Sequence, residues 1–241
     1  MRLKLFSEEI SKSAQPGQFV HVLCGEGRDF ILRRPFSVHR LLPGSAFEIL
    51  FQVVGRGTAA LSEVHLHDFI DVIGPLGRPF NIPEGLSAAL LVAGGIGIAP
   101  LVFLAEKLAV RKVKIYVVQG AATQHRLFCY MDLKRLSRQI FTATEDGSAG
   151  HRGRVTDVLA NVVRQTSPER IYSCGPEAML KKVADQALSY GIDCEVSIER
   201  RMACGVGACL SCACQTKRGY SLACKDGPVF RADELLWSDA S

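Results

Sequence analysis

The chain has 241 residues, 48% of them hydrophobic and 22% charged, with 29 lysines and arginines against 24 aspartates and glutamates. That apolar content builds packed cores and excludes a disordered or collagen-like chain. The excess of +5 is small and falls in scattered pairs (Arg33–Arg34, Lys134–Arg135, Lys181–Lys182, Arg200–Arg201), with no basic tract interleaved with aromatics, which argues against nucleic-acid partners.

The opening MRLKLFSEEISKS has no apolar signal-peptide core, so a cytoplasmic location with reduced thiols is expected. Residues 1–82 are rich in Val, Ile and Phe at 18–23, 31–38, 47–54 and 69–73. Pro16-Gly17, Pro43-Gly44, Gly55 and Gly74-Pro75 separate these runs, which predicts a small antiparallel barrel or sandwich. A short helix is expected after Gly57, with Thr58 as its N-cap. Arg34 and Ser37 on one strand, and the Gly57-Thr58 turn, offer hydrogen-bond donors suited to phosphate and ribityl oxygens. A surface arginine pair and a plain helix cap are the structural alternatives.

From residue 86 the pattern changes. Strands at 88–93, 113–118, 140–143, 170–174 and 193–198 alternate with helices at 101–110, 131–136, 155–163 and 177–190. That is the signature of a doubly wound parallel sheet. Residues 85–105 carry no charge and are long enough to cross a bilayer. Gly94, Gly95, Gly97 and Pro100 instead break them into strand, turn and helix, and no second span exists, so no membrane role is expected. The Gly94-Gly95-Ile96-Gly97 turn opens a helix, where backbone amides and the helix dipole favour an anion. It lacks the G-x-G-x-x-G fingerprint, and close helix–strand packing is its alternative reading. Cys174-Gly175-Pro176 is a second strand-end turn on the same edge of the sheet, where open α/β sheets bind ligands.

Five of the nine cysteines fall between residues 204 and 224. Cys204, Cys209, Cys212 and Cys224 give C-x4-C-x2-C-x11-C, the plant-type spacing for a [2Fe–2S] cluster. Gly205, Gly207 and Ala208 suit a loop wrapped closely around sulfur. Zinc is the alternative metal, though its sites usually pair two C-x2-C units. Cys214, two residues beyond Cys212, points to the other side of an extended stretch and is read, with Cys24, Cys129 and Cys194, as packing.

RPFS (34–37), GRGT (55–58), GPLGRPF (74–80), GGIGIAP (94–100), CGPEAM (174–179) and MACGVGACLSCAC (202–214) occur in an order that resembles the ferredoxin reductase-like flavoproteins. Within them, the cluster-bearing tail is similar to the electron-transfer subunits of class B dihydroorotate dehydrogenases. The resemblance implies an antiparallel FAD-binding barrel (1–84), a doubly wound NAD-binding domain (85–198) and a small [2Fe–2S] subdomain (199–241).

It assigns Arg34, Pro35, Phe36, Ser37, Leu50, Phe51, Gln52, Val53, Gly57 and Thr58 to FAD. Gly94, Gly95, Gly97, Pro100, Cys174, Gly175 and Pro176 fall to NAD⁺, and the four spaced cysteines to the cluster. No residue is assigned as a general base. The implied partner is an FMN-containing dihydroorotate dehydrogenase catalytic subunit, two copies of each forming a heterotetramer. A ferredoxin:NADP⁺ or sulfide-dehydrogenase-type oxidoreductase with another partner is the alternative.

Two departures stand out. Related reductases often carry tyrosine where Phe36 sits, which leaves ring packing and no phenol. Only fifteen residues precede Pro16, fewer than the resemblance implies, so either the barrel is incomplete or residues 1–9 alone supply its first strand. NAD⁺ is expected over NADP⁺ because Ala121 and Ala122 stand where a 2′-phosphate clamp would carry arginine, although His125 and Arg126 lie near.

Overall fold

The computed structural model describes residues 1–25 and 30–237; the last four residues of the predicted cluster segment lie outside this range. Five antiparallel strands form the first sheet: β1 (Arg2–Phe6), β2 (Phe19–Val22), β3 (Arg34–Leu42), β4 (Ala46–Leu50) and β5 (Val72–Leu76), in the order β1-β4-β3-β2-β5. The first residues of the chain do supply a strand. β1 pairs with β4 from Arg2↔Leu50 to Phe6↔Ala46. Leu3 and Leu5 cover a core of Val20, Val38, Phe47 and Ile49. Register shifts between Phe19 and His21 and between Val38 and Arg40 break the ladders, and such irregularities bend and twist a sheet.

Several local features differ from expectation, among them the run at 31–38, which becomes strand only at Arg34 and continues to Leu42. The run at 47–54 stops being strand at Leu50, and the last strand lies at Val72–Leu76, where it pairs with β2 on either side of Gly74-Pro75. Helix α1 (Glu8–Ser13) was not predicted, yet Ser7 caps it by accepting from the Ile10 amide at 3.3 Å. Helix α2 (Arg56–Ser62) starts at Gly55, not at Thr58. Thr58 sits one turn in, and its Oγ1 reaches back to accept from the amides of Val54 and Gly55 at 2.9 and 3.1 Å.

The second sheet is built from β6 (Ala88–Gly94), β7 (Lys114–Ala121), β8 (Gln139–Thr144), β9 (His151–Arg152), β10 (Arg170–Cys174), β11 (Asp193–Ser197) and β14 (Val229–Arg231), ordered β14-β11-β10-β6-β7-β8-β9. Six strands are parallel; β14 runs antiparallel to β11. Alternation along β6 divides two cores. Leu90 and Val92 face α5 (Val155–Thr166) and α6 (Glu177–Ser189). Ala89, Leu91 and Ala93 face α3 (Ile98–Val110) and α4 (Tyr130–Leu136). Helices on both faces are the doubly wound arrangement that the periodicity predicts.

α3 also packs on the first sheet. His39 of β3, fully buried, donates from Nδ1 to the Ala99 carbonyl at 2.8 Å. A hairpin of β12 (Ala213–Thr216) and β13 (Gly219–Leu222) completes the chain's last segment. Cys212, Cys214, Ala223 and Cys224 of that segment join the α5–α6 core.

Candidate functional site

A cleft of about 830 Å³ opens between the two sheets. Arg34, Pro35, Phe36 and Ser37 of β3 form one wall, and Leu50, Phe51 and Gln52 continue it beyond β4. Thr58 closes one end, while Ile96, Gly97, Pro100 and Cys174 supply the facing wall. Most residues assigned to FAD thus meet the strand-end turns of the second sheet. Val53 and Gly57 line neither this cleft nor its neighbour; Val54 does line it.

A Cβ added to Gly57 would lie 3.8 Å from Arg34 Nε, so Arg34 stands beside the start of α2 while its Nη1 donates to the Leu32 carbonyl. Phe36 packs on Phe51 with centroids 5.5 Å apart. An apolar slot with an exposed arginine beside the start of α2 has the lining that a flavin dinucleotide requires. Cys174 is a buried neutral thiol, pushed up to about 12 by burial. Glu199, which sequence reasoning missed, also lines the cleft, with its carboxyl pushed above the usual range by burial. It sits just past β11, and no spacing in the sequence announces it.

A second cleft, of about 420 Å³, shares Gln52 and Ile96 with the first. Its floor is Gly94, Gly95 and the ends of β7 at Gly120, Ala121 and Ala122. The glycines of the first turn do different jobs. Gly97 is packed so tightly that an added Cβ would come 2.3 Å from the Cys174 carbonyl oxygen. Gly94 would meet Met179 and Pro176 at 2.7 and 2.8 Å. Gly95 has φ +55° and open space before it. Only Gly95 therefore presents bare backbone to the cleft, where a phosphate can approach. Pro176 lines this cleft, and Gly175 supports the turn behind it against Gly94.

The four spaced cysteines stand as two pairs. Cys212 and Cys224 are buried with Sγ atoms 3.2 Å apart. Cys204 and Cys209 are in side-chain contact nearer the surface. Among the described residues, no three histidine, cysteine or carboxylate side chains converge on one ion position. A tetrahedral zinc site needs four ligands around one ion; two pairs suit two irons with two thiolates each.

The Cys204 sulfur accepts from the amides of Val206, Ala208 and Cys209 at 3.3–3.4 Å, which holds its thiol below the usual value. Ser211 does the same for Cys209, bringing it to about 6. Gly205 and Gly207, at φ +74° and +84°, give the loop its left-handed turns. Beneath Gly205 lies His21, also missed by sequence reasoning. It is fully buried with neither ring nitrogen hydrogen-bonded, and an added Gly205 Cβ would meet its Nδ1 at 2.6 Å. Across the strands His21 pairs with Pro35 of the first cleft's wall. Cys214 points away, its thiol toward the Ser221 carbonyl in the hairpin.

An antiparallel sheet and a parallel sheet sharing a ligand cleft, with a two-iron thiol array beside it, define an iron–sulfur oxidoreductase of the ferredoxin reductase-like class. Residues 199–236 match the iron-sulfur cluster binding domain of dihydroorotate dehydrogenase B, and residues 91–185 match the oxidoreductase NAD-binding domain. The dihydroorotate dehydrogenase B (NAD(+)) electron transfer subunit of Desulforamulus reducens is 40% identical over 234 residues, 95% of this chain and 89% of that one. The subunit of the same name from Geobacillus thermodenitrificans is 40% identical over 242 residues, 97% and 91%. The chain belongs to the family of dihydroorotate dehydrogenase B electron transfer subunits.

Among solved structures, the NADH-dependent reduced ferredoxin-NADP oxidoreductase, described in the context of flavin-based electron bifurcation, superposes with TM-score 0.87 at 34% identity, over 98% of this chain and 84% of that one. A ferredoxin NADP+ reductase from Neisseria gonorrhoeae shares the fold at TM-score 0.62 and 21% identity, over 79% and 85%.

Proposed function

We propose that this chain is the electron-transfer subunit of an NAD-dependent dihydroorotate dehydrogenase. It passes electrons from an FMN-bearing catalytic subunit, by way of a [2Fe–2S] cluster and FAD, to NAD⁺ in pyrimidine biosynthesis. The observation that carries this reading is the pairing of four thiols, two buried and two near the surface, next to a cleft where flavin-type and nucleotide-type walls meet. When bound, the flavin and the cluster exchange single electrons for a hydride.

The chain's own residues position and exclude. Arg34 and the α2 start hold phosphate, Phe36 and Phe51 pack on the ring system, and Gly95 admits the nucleotide's phosphates. The Cys174 thiol, neutral at working pH, walls the nicotinamide end without adding charge where hydride moves. The assembly is two of these chains with two catalytic subunits in the cytoplasm, and the chain divides at about residues 84 and 198. No described helix is long and apolar enough to cross a membrane.

The test is a reconstituted pair carrying Cys209→Ala. Dihydroorotate-driven NAD⁺ reduction should fall at least a hundredfold, while NADH-driven dye reduction by this subunit persists. Equal NAD⁺ reduction overturns the reading. A second reading, a subunit of a ferredoxin:NADP⁺ or sulfide-dehydrogenase-type oxidoreductase, is favoured by the 34% identity to the bifurcating enzyme. Native co-purification without an FMN-bearing dihydroorotate dehydrogenase subunit would select it.

A further inference from the structure

The nicotinamide must meet the flavin, so it lies toward the cleft wall at Cys174, at the end of β10. Gly95, past the end of β6, is where bare backbone meets phosphate. Strand order β10-β6-β7-β8 then leaves one direction for the rest of the dinucleotide, across the ends of β7 and β8. The second cleft runs along that line. Its floor there is Ala121 and Ala122, small enough to seat a ribose.

The chain next to this floor comes from β8, not β7. Past Thr144 the backbone folds over the end of β7, with the Glu145 amide donating to the Ala121 carbonyl and the Asp146 amide to the Ala122 carbonyl, both at 3.2 Å. Glu145 is thereby fixed at the edge of the ribose floor. Its side chain is exposed, lines the cleft, and has no ion-pair or hydrogen-bond partner among the described residues. It is the one acidic side chain on that lining, set against three cations, Arg126, Arg154 and Lys182. Lys182, on α6 beside Met179, serves the phosphate side of the cleft. Arg126 and Arg154 belong to the β7 and β9 ends, where a 2′-phosphate would otherwise find a ready clamp.

We infer that Glu145 is the residue that sets the preference for NAD(H) over NADP(H) in this chain. The inference rests on the nucleotide cleft proposed above. The Glu145 carboxylate accepts from the vicinal hydroxyls of the adenosine ribose, a bidentate match that a neutral ribose satisfies. A 2′-phosphate in the same place brings a dianion against an anion and replaces one of the two donors, the 2′-hydroxyl, with acceptor oxygens. Arg126 and Arg154 pull the other way, so the preference hangs on a single charge. Ala121 and Ala122 leave the space; Glu145 decides what fills it.

The test uses the FAD-loaded subunit, with NADH and NADPH each driving ferricyanide reduction, and direct titration with NAD⁺, NADP⁺ and 2′-phospho-ADP-ribose. Glu145→Gln keeps the shape and removes the charge. It should lower kcat/KM for NADH several-fold, raise it for NADPH, and shift their ratio at least tenfold, with 2′-phospho-ADP-ribose binding tightened in parallel. Adding Arg126→Ala to that variant should remove most of the gain for NADPH. A ratio unchanged within twofold in Glu145→Gln, with NADH still turned over, overturns the assignment and leaves the cleft standing. A native protein that prefers NADPH also overturns it. Native protein that binds neither dinucleotide overturns the cleft and the assignment together.

Discussion

Gly95 and Gly97, two residues apart in one turn, separate binding from packing. Gly97→Ala places a methyl 2.3 Å from the Cys174 carbonyl oxygen, a backbone atom that cannot move aside. The expected loss is about 1–3 kcal/mol of stability, read as a lower urea midpoint. Gly95→Ala meets no atom but keeps a left-handed φ of +55°, which costs about 1–2 kcal/mol for an L-residue. Its larger effect is on the nucleotide, with KM for NADH rising at least tenfold. Equal effects of the two changes on KM would show the distinction to be false.

At the cluster loop, Gly205→Ala combines φ +74° with a 2.6 Å approach to the His21 ring. Iron and sulfide content per chain should fall below half while FAD content is retained. Full cluster occupancy in that variant would show that the loop tolerates the shift. From sequence the three glycines of GGIG were equivalent, because the alphabet does not say which face of a turn is filled. His21 was invisible for a similar reason: a histidine within an apolar strand run carries no spacing signal, and only the fold brings it under Gly205.

The seam between β3 and α3 turns on His39. Burial pushes its imidazole down to about 4 from 6.5, with Arg40 and Arg2 lowering it further and the Ala99 carbonyl and Asp132 acting the other way. Glu48 Oε2 also faces the ring, 4.0 Å from Nε2. The unfolded chain takes up a proton below 6.5 and the folded one does not until about 4. Stability is therefore complete above 6.5 and is lost as pH falls toward 4, by on the order of 3 kcal/mol. Urea midpoints between pH 7 and 4 should show that slope, and His39→Asn, which keeps a donor for the Ala99 carbonyl, should flatten it. An undiminished slope in the variant would place the titration elsewhere.

Five strands and four helices of the second sheet were legible from sequence to within a few residues, because both periodicities are strong there, while β9 and β14, only two and three residues long, carry no periodicity and were missed. The first sheet was less so. Where a strand stops there depends on its partner, as β4 ending at Leu50 and β5 running through Gly74-Pro75 both show. Helix α1 was missed although its signals, Ser7 with Glu8 and Glu9, are in the sequence.

For the molecule as a whole, the cofactor assignments rested on motifs in order, and the clefts gather most of them. What motifs did not carry is the coupling between parts. Arg200, just ahead of the cluster loop, holds Glu177 at the start of α6 through two contacts of 2.8 and 3.1 Å. Both side chains are partly exposed, so the pair adds little global stability. Its role is orientation: Arg200→Ala should shift the thermal midpoint by less than about 2 °C. It should also speed hydrogen exchange at residues 202–211. Unchanged exchange there would mean the loop is held by the metal ligands alone.

The antiparallel strand β14 lies beyond the last of the four spaced cysteines yet borders β11, and Cys212 and Cys224 share the core under α5 and α6. The cluster segment is therefore not a detachable cassette. A chimera cut at residue 198 removes an edge strand from its host and leaves β11 with a bare rim, so modular exchange among relatives must carry β11, β14 and the α6 face together.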